Sequence, residues 1–171
     1  STAFTLDGSE DMQPDLVWIK RRNAAGDPHL LFDAVRGVNA LWESNTTDNE
    51  ESLTSLTAFG SDGFTLGSDT SGKFNSDGDT FVAWCWKANG SGSSNTDGSI
   101  NTTATSANTT AGFSIIQFTG SGANATIGHG LGAAVKCFIV KKIDGGAAYG
   151  AKMMHLGVGG LGNTHAYKLD E

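Results

Sequence analysis

Proline is nearly missing from this chain, with two in 171 residues. That scarcity excludes a proline-rich linker and, for all the glycine present, a collagen-like repeat. No apolar run approaches the length a membrane-spanning helix needs. Helical patterning is equally scarce. The best candidate, Asn45 to Glu51, sets a capping residue before acidic ones but has no apolar stripe to continue on. Cysteine occurs only as Cys85 and Cys137, each inside an apolar segment. They could form one disulfide, but two buried free thiols are the expectation. Positive charge is in deficit: the formal net charge is −7. An acidic chain repels phosphate backbones, which argues against nucleic acid as a partner. The cluster Lys20-Arg21-Arg22 ends an apolar run and reads as a solvated strand end. The N-terminus Ser1-Thr2-Ala3-Phe4 lacks the charged region and apolar core of a signal peptide, and any such peptide would precede this numbering.

Glycine is abundant. The chain holds 24, about twice the usual share of ~7%, and glycine suits tight turns between short strands. Hydrophobic residues at 38% and charged residues at 17% are too apolar and too weakly charged for a disordered chain. The apolar runs are of strand length, rich in β-branched and aromatic residues, and bounded by Gly, Asp, Asn or Ser. They are Leu16 to Lys20, Phe81 to Trp86, Phe113 to Phe118 and Cys137 to Val140. In the second run Val82, Trp84 and Trp86 share one face, which reads as core, while Ala83 and Cys85 share a narrow face. Asp62-Gly63 and Asp77-Gly78 are hairpin-turn signals. Together these predict an all-β, jelly-roll-like antiparallel sandwich. Residues 89–111 are mostly Gly, Ser, Asn and Thr. They read as a connection, with one edge strand at Ser99 to Thr102.

The two halves resemble each other. Phe4-Thr5-Leu6 and Gln13 to Arg21 align without a gap on Ala125-Thr126-Ile127 and Ala134 to Lys142, 121 residues later. Leu31-Phe32-Asp33 falls near Met153-Met154-His155 with a one-residue shift. The expected units are residues 1–88, the connection 89–111, and a second, partial unit at 112–171. The second has an extra leading strand, Phe113 to Phe118. The first has extra trailing strands, Phe64 to Leu66 and Phe81 to Trp86. The leading strand is expected to fill a place in the first sheet, within the chain or from a neighbour. Such unfinished edges favour pairing with another chain, as a homo-oligomer or with other subunits.

Several segments carry a family resemblance. They are Pro14 to Lys20, Leu31 to Gly37, Ser44 to Thr47, Ser61 to Gly67, Phe81 to Ala88 and Gly128 to Gly132. These resemble a family of uncharacterised β-rich repeat domains, common in phages of aquatic bacteria and in related environmental sequences. Its members look like virion tail or fibre components, and some resemble the concanavalin/laminin-G-like jelly roll. The resemblance covers residues 14–88 well and 112–156 more loosely. The chain departs from the pattern at Val135, where the family often has proline, and near Ala151, where an aromatic is common. The resemblance implies a virion or extracellular location and a structural role, and it carries over no catalytic residue.

The chemistry-bearing residues are sparse. His29, His129, His155 and His165 show no metal-ligand spacing. The glycines around His129 precede a strand, not the helix a phosphate cradle needs. No nucleophile elbow stands between strand and helix, so no catalytic residue is assigned and the chain is not expected to be an enzyme. Asp77 and Asp79, with Asp69 or Asp62, are candidate calcium ligands, because laminin-G-like sandwiches often carry calcium in such loops; the spacing is not that of an EF-hand. Trp42, between Leu41 and Glu43, is the candidate for an exposed sugar-stacking surface. Asn45, Asn89, Asn101, Asn108 and Asn124 head five glycosylation sequons, read as products of Asn- and Thr-rich composition. The functional expectation is a structural part of a virion tail, fibre or similar extracellular assembly. The alternative is a lectin-like module that binds a host-surface glycan.

Overall fold

The structure is a computed structural model that describes residues 1–144, 152–155 and 167–169. Ala151 and His165, named above, lie outside the described residues. The chain is all-β, as its sequence predicts, and among the described residues there is no helix. The Asn45 to Glu51 segment is irregular until Glu51, where a two-residue strand begins.

Two antiparallel sheets make a sandwich in the first half. The larger runs β5 (Glu51–Ser52), β4 (Ala40–Glu43), β3 (Leu30–Asp33), β2 (Leu16–Arg21) and β8 (Phe81–Trp86), in that order. The smaller runs β1 (Thr2–Thr5), β7 (Gly63–Leu66) and β6 (Leu56–Gly60). Strand alternation decides what enters the space between them. Val17 and Ile19 of β2, Leu30 and Phe32 of β3, and Leu41 of β4 point inward and are buried. They meet Leu56, Phe64 and Leu66 from the smaller sheet, and Phe74 from the loop beyond it. Each fully buried side chain of this kind contributes about 1.5–3 kcal/mol.

The β2–β8 register reverses one expectation. Val17 stands opposite Cys85 and Ile19 opposite Ala83, so the narrow face of β8 lies on the core side. Trp18 stands opposite Trp84, which places the wide face outside, with Trp84 42% exposed. The bulky rings are accommodated by one another rather than by the core. Trp18 meets Trp84 edge-on at 5.8 Å and Trp86 at 6.4 Å. The thiols also differ from expectation. Both cysteines are free, but Cys137 is exposed and only Cys85 is partly covered, where burial pushes its thiol pKa up.

Turn chemistry holds in one of the two expected places. β6 and β7 form a hairpin around Ser61-Asp62, with Gly60 opposite Gly63. The Asp77-Gly78 turn does not make a hairpin, because β7 and β8 belong to different sheets. Its chain crosses the sandwich instead.

Residues 89–111 contain more structure than a connection. β9 (Ala104–Asn108) pairs with β10 (Phe113–Gln117) through five residue pairs. Ser106 is fully buried and accepts from the Asn89 N–H, and Thr102 and Thr105 share a hydroxyl contact at 2.9 Å. Small hydroxyl side chains satisfy backbone groups here, so no apolar alternation marks the strand in the sequence. Ile100 makes only an isolated bridge to Ile127. Within the chain β10 pairs with β9 and with no strand of residues 1–87, so of the two expected placements the in-chain one is not adopted.

The fourth sheet runs β11 (Cys137–Val140), β12 (Lys152–His155) and β13 (Tyr167–Lys168). Its first hairpin has the register of β2 and β3. Leu16 opposite Asp33 corresponds to Cys137 opposite His155, and Ile19 opposite Leu30 to Val140 opposite Lys152. Beyond the hairpin the two differ. β2 has β8 on its other edge, whereas β11 has no partner there among the described residues.

Gly63 is where β1 joins the fold. It has φ of +135°, and a Cβ built on it would overlap the Phe4 carbonyl oxygen. Gly63→Ala should therefore detach β1 and lower stability by more than about 1 kcal/mol, read from the urea midpoint.

Candidate functional site

The outer face of the larger sheet is built from side chains that alternation turns away from the core. Trp42, Leu31, Trp18 and Trp84 stand side by side across β4, β3, β2 and β8. The row is closed at one end and open at the other. Trp42 is half-buried. The Arg36 guanidinium lies 6.0 Å from its ring centroid and the Lys141 ammonium 5.8 Å, both in cation–π range. Lys141 also donates to the carbonyls of Glu43 and Thr46, at 2.7 and 2.8 Å. The Glu50 N–H donates to the Ile143 carbonyl at 3.0 Å. Trp42, expected as the exposed ring, is thus the place where the segment after β11 fastens to the first sandwich. Trp84, expected in the core, is the exposed ring.

Arg36 organises the closed end. Its Nε donates to Asp33 at 2.6 Å, its Nη1 to Glu50 at 2.7 Å and its Nη2 to the Leu31 carbonyl. Asp33 and Arg36 side chains are only 5% and 7% exposed. The middle of the face is held by His29. Its Nδ1 accepts the Trp18 indole N–H at 3.0 Å, so the imidazole is neutral in this arrangement. Desolvation by burial first, then the charge of Lys20, lowers its pKa below the usual value. Asn45 accepts the His29 N–H at 2.7 Å and is not displayed as a free sequon.

The two calcium candidates separate. Asp77 is exposed in the turn, whereas the Asp79 carboxylate accepts from Arg21 at 2.7 Å and Asn23 at 3.0 Å. Asp62 accepts the Met12 N–H. Asp69 works inward. Its carboxylate accepts backbone N–H groups of Ser71, Gly72, Phe74 and Asn75 and the Ser71 hydroxyl, seating Phe74 in the core. Desolvation raises its pKa, but these donors outweigh it and hold the group well below the usual carboxylate range. Among the described residues, no three His, Cys, Asp or Glu side chains group as a metal would require.

A cleft of about 420 Å³ opens between the two sheets, beside the edge strands β1 and β8. Phe4, Phe64 and Phe74 form one wall and Ile19, Phe81 and Ala83 the other, with Asp79 among the polar residues at its boundary. A polar hollow of about 320 Å³ lies elsewhere, around Asn95 and Thr105. Apolar side chains are also displayed on β11, where Phe138, Ile139 and Val140 are 37–38% exposed.

These features define an all-β sandwich protein whose accessible chemistry is open strand edges and apolar surface. The chain belongs to a family described as a domain of unknown function, DUF7483, which it matches over residues 3–171. No curated protein and no solved structure matches it.

Two outcomes test the side-chain assignments. Arg36→Ala leaves Asp33 buried without its cation and should cost about 3–5 kcal/mol of stability, measured by urea denaturation. Asp69 has a depressed folded-state pKa, so its contribution is present above about pH 4 and is lost as pH falls through the folded value. Asp69→Asn should therefore flatten the acid limb of the stability profile below about pH 4 relative to wild type.

Proposed function

We propose that this chain is a structural component of a virion tail, fibre or similar extracellular assembly, acting through strand pairing and packing between subunits. The observation that carries the reading is the set of open edges bearing exposed apolar side chains. β1, β8, β10 and β11 each have one unpaired edge among the described residues, and Phe4, Trp84 and Phe138 to Val140 are exposed on three of them. Soluble chains normally blunt such edges with charge, bulges or cover. The family resemblance of residues 14–88 points the same way. The shared register of the β2–β3 and β11–β12 hairpins supports the internal repeat, and repeated units suit an assembly.

The reading assigns the chain no catalysis and no cofactor. Calcium at Asp77 and Asp79 would have to draw Asp79 away from Arg21. A lectin-like role is the second reading, favoured by the exposure of Trp84 beside Trp18. It moves the sugar-stacking residue from Trp42 to Trp84.

Sedimentation velocity and negative-stain microscopy of the purified chain should show concentration-dependent association into regular particles or filaments. A monomer at every concentration would overturn the structural reading. A glycan-array signal lost in Trp84→Ala would select the lectin instead.

A further inference from the structure

We infer that the cleft between β1 and β8 is the socket for strand β10 of a second copy of this chain. The inference rests on the assembly reading above and names its contact.

Three observations meet at this site. The cleft is bordered by two edge strands, so a strand entering it finds unpaired backbone N–H and C=O groups as well as aromatic walls. β10 is an apolar strand left half-covered. Among the described residues it pairs only with β9 and its other edge is open, and every residue from Phe113 to Gln117 is partly exposed. Its two faces are not equivalent. Phe113 stacks on Trp86 of its own chain at 6.1 Å, while Ser114, Ile116 and the following Phe118 point to the other side. The third observation is charge. From Gly98 to Val135 there is no Asp, Glu, Lys or Arg. A strand without charge matches a cleft whose walls are Phe4, Phe64, Phe74, Ile19, Phe81 and Ala83.

Order along the chain supports the same pairing. β10 precedes Ala125-Thr126-Ile127, the segment that aligns with Phe4-Thr5-Leu6 at the end of β1, yet among the described residues no strand pairs with the outer edge of β1. A neighbour's β10 would supply it. The contact is heterologous, because socket and strand are different surfaces. It therefore propagates head to tail and forms a filament or a ring.

Complementation provides the test. Ala83→Trp fills the socket from the exposed part of β8, and Ile116→Lys or Phe118→Lys charges the inserted face. Each full-length variant should keep the wild-type melting temperature and lose association by about tenfold or more, read by sedimentation velocity. An equimolar mixture of Ala83→Trp and Ile116→Lys should form a dimer and nothing larger, since it holds one intact strand and one intact socket. A mixture that stays monomeric overturns the inference, as does an Ala83→Trp variant that assembles like wild type. In both cases wild-type assembly would leave the broader reading standing. A wild type that never assembles overturns both. If such a monomer binds anilinonaphthalene sulfonate, and Ala83→Trp abolishes that binding, the cleft is a pocket for small apolar ligands.

Discussion

Burial of β3 on both faces is the constraint on which the first sandwich depends. All four of its residues are buried. Leu30 and Phe32 reach the core between the sheets, which needs only apolar partners. Leu31 and Asp33 face the other way, and a buried carboxylate there requires a cation. Arg36 supplies it from the turn that follows β3. The same guanidinium binds Glu50, caps the Leu31 carbonyl and lies over Trp42. One side chain thus joins β3, β4 and the start of β5 on the face opposite the core. The Leu31 to Gly37 segment stands out in the sequence because it builds this arrangement.

A similar logic explains why recognisable residues turn out to be architectural. Buried Asp15 accepts the Ala88 N–H at 2.7 Å and ties β2 to the end of β8. Ser44 and Asn45 hold the backbone of His29, which in turn orients Trp18. Asp69 gathers four backbone donors to place Phe74. Each is a polar group whose burial or partial burial demands specific partners, so its identity is constrained by the fold. The exposed apolar groups obey no such demand from within the chain. Trp84, Phe138, Ile139 and Val140 are the residues whose chemistry remains to be matched by something else.

Legibility of the sequence followed the strength of local signals. β2, β8, β10 and β11 were visible because each is an apolar run with β-branched or aromatic residues. β4 and β6 were not. Ala40-Leu41-Trp42-Glu43 and Leu56-Thr57-Ala58-Phe59-Gly60 are short and mixed, and they are strands because neighbouring strands pair with them. β9 was hidden by its Thr, Ser and Ala. On β8 side-chain size is no guide to burial, since the bulky Trp84 faces outward and the small Ala83 lies on the core side. Opposite β8 stand Phe64, Leu66 and Phe74, and the narrow Ala83 and Cys85 suit that side. The exchange of Trp42 and Trp84 follows from the same cause, since only the packed chain brings Lys141 across Trp42, 99 residues away in sequence.

The sequence by itself determined the all-β class, the position of the longer strands, the acidic charge and the β6–β7 turn. These depend on alternation, composition and backbone preference within a few residues. Tertiary structure alone decided which face of each strand is covered, which aspartates are spent on backbone or arginine, and which edges are left open. Those are properties of residues far apart in the chain. A period of two states that a strand has two faces, and only the partner sheet states which one is the inside.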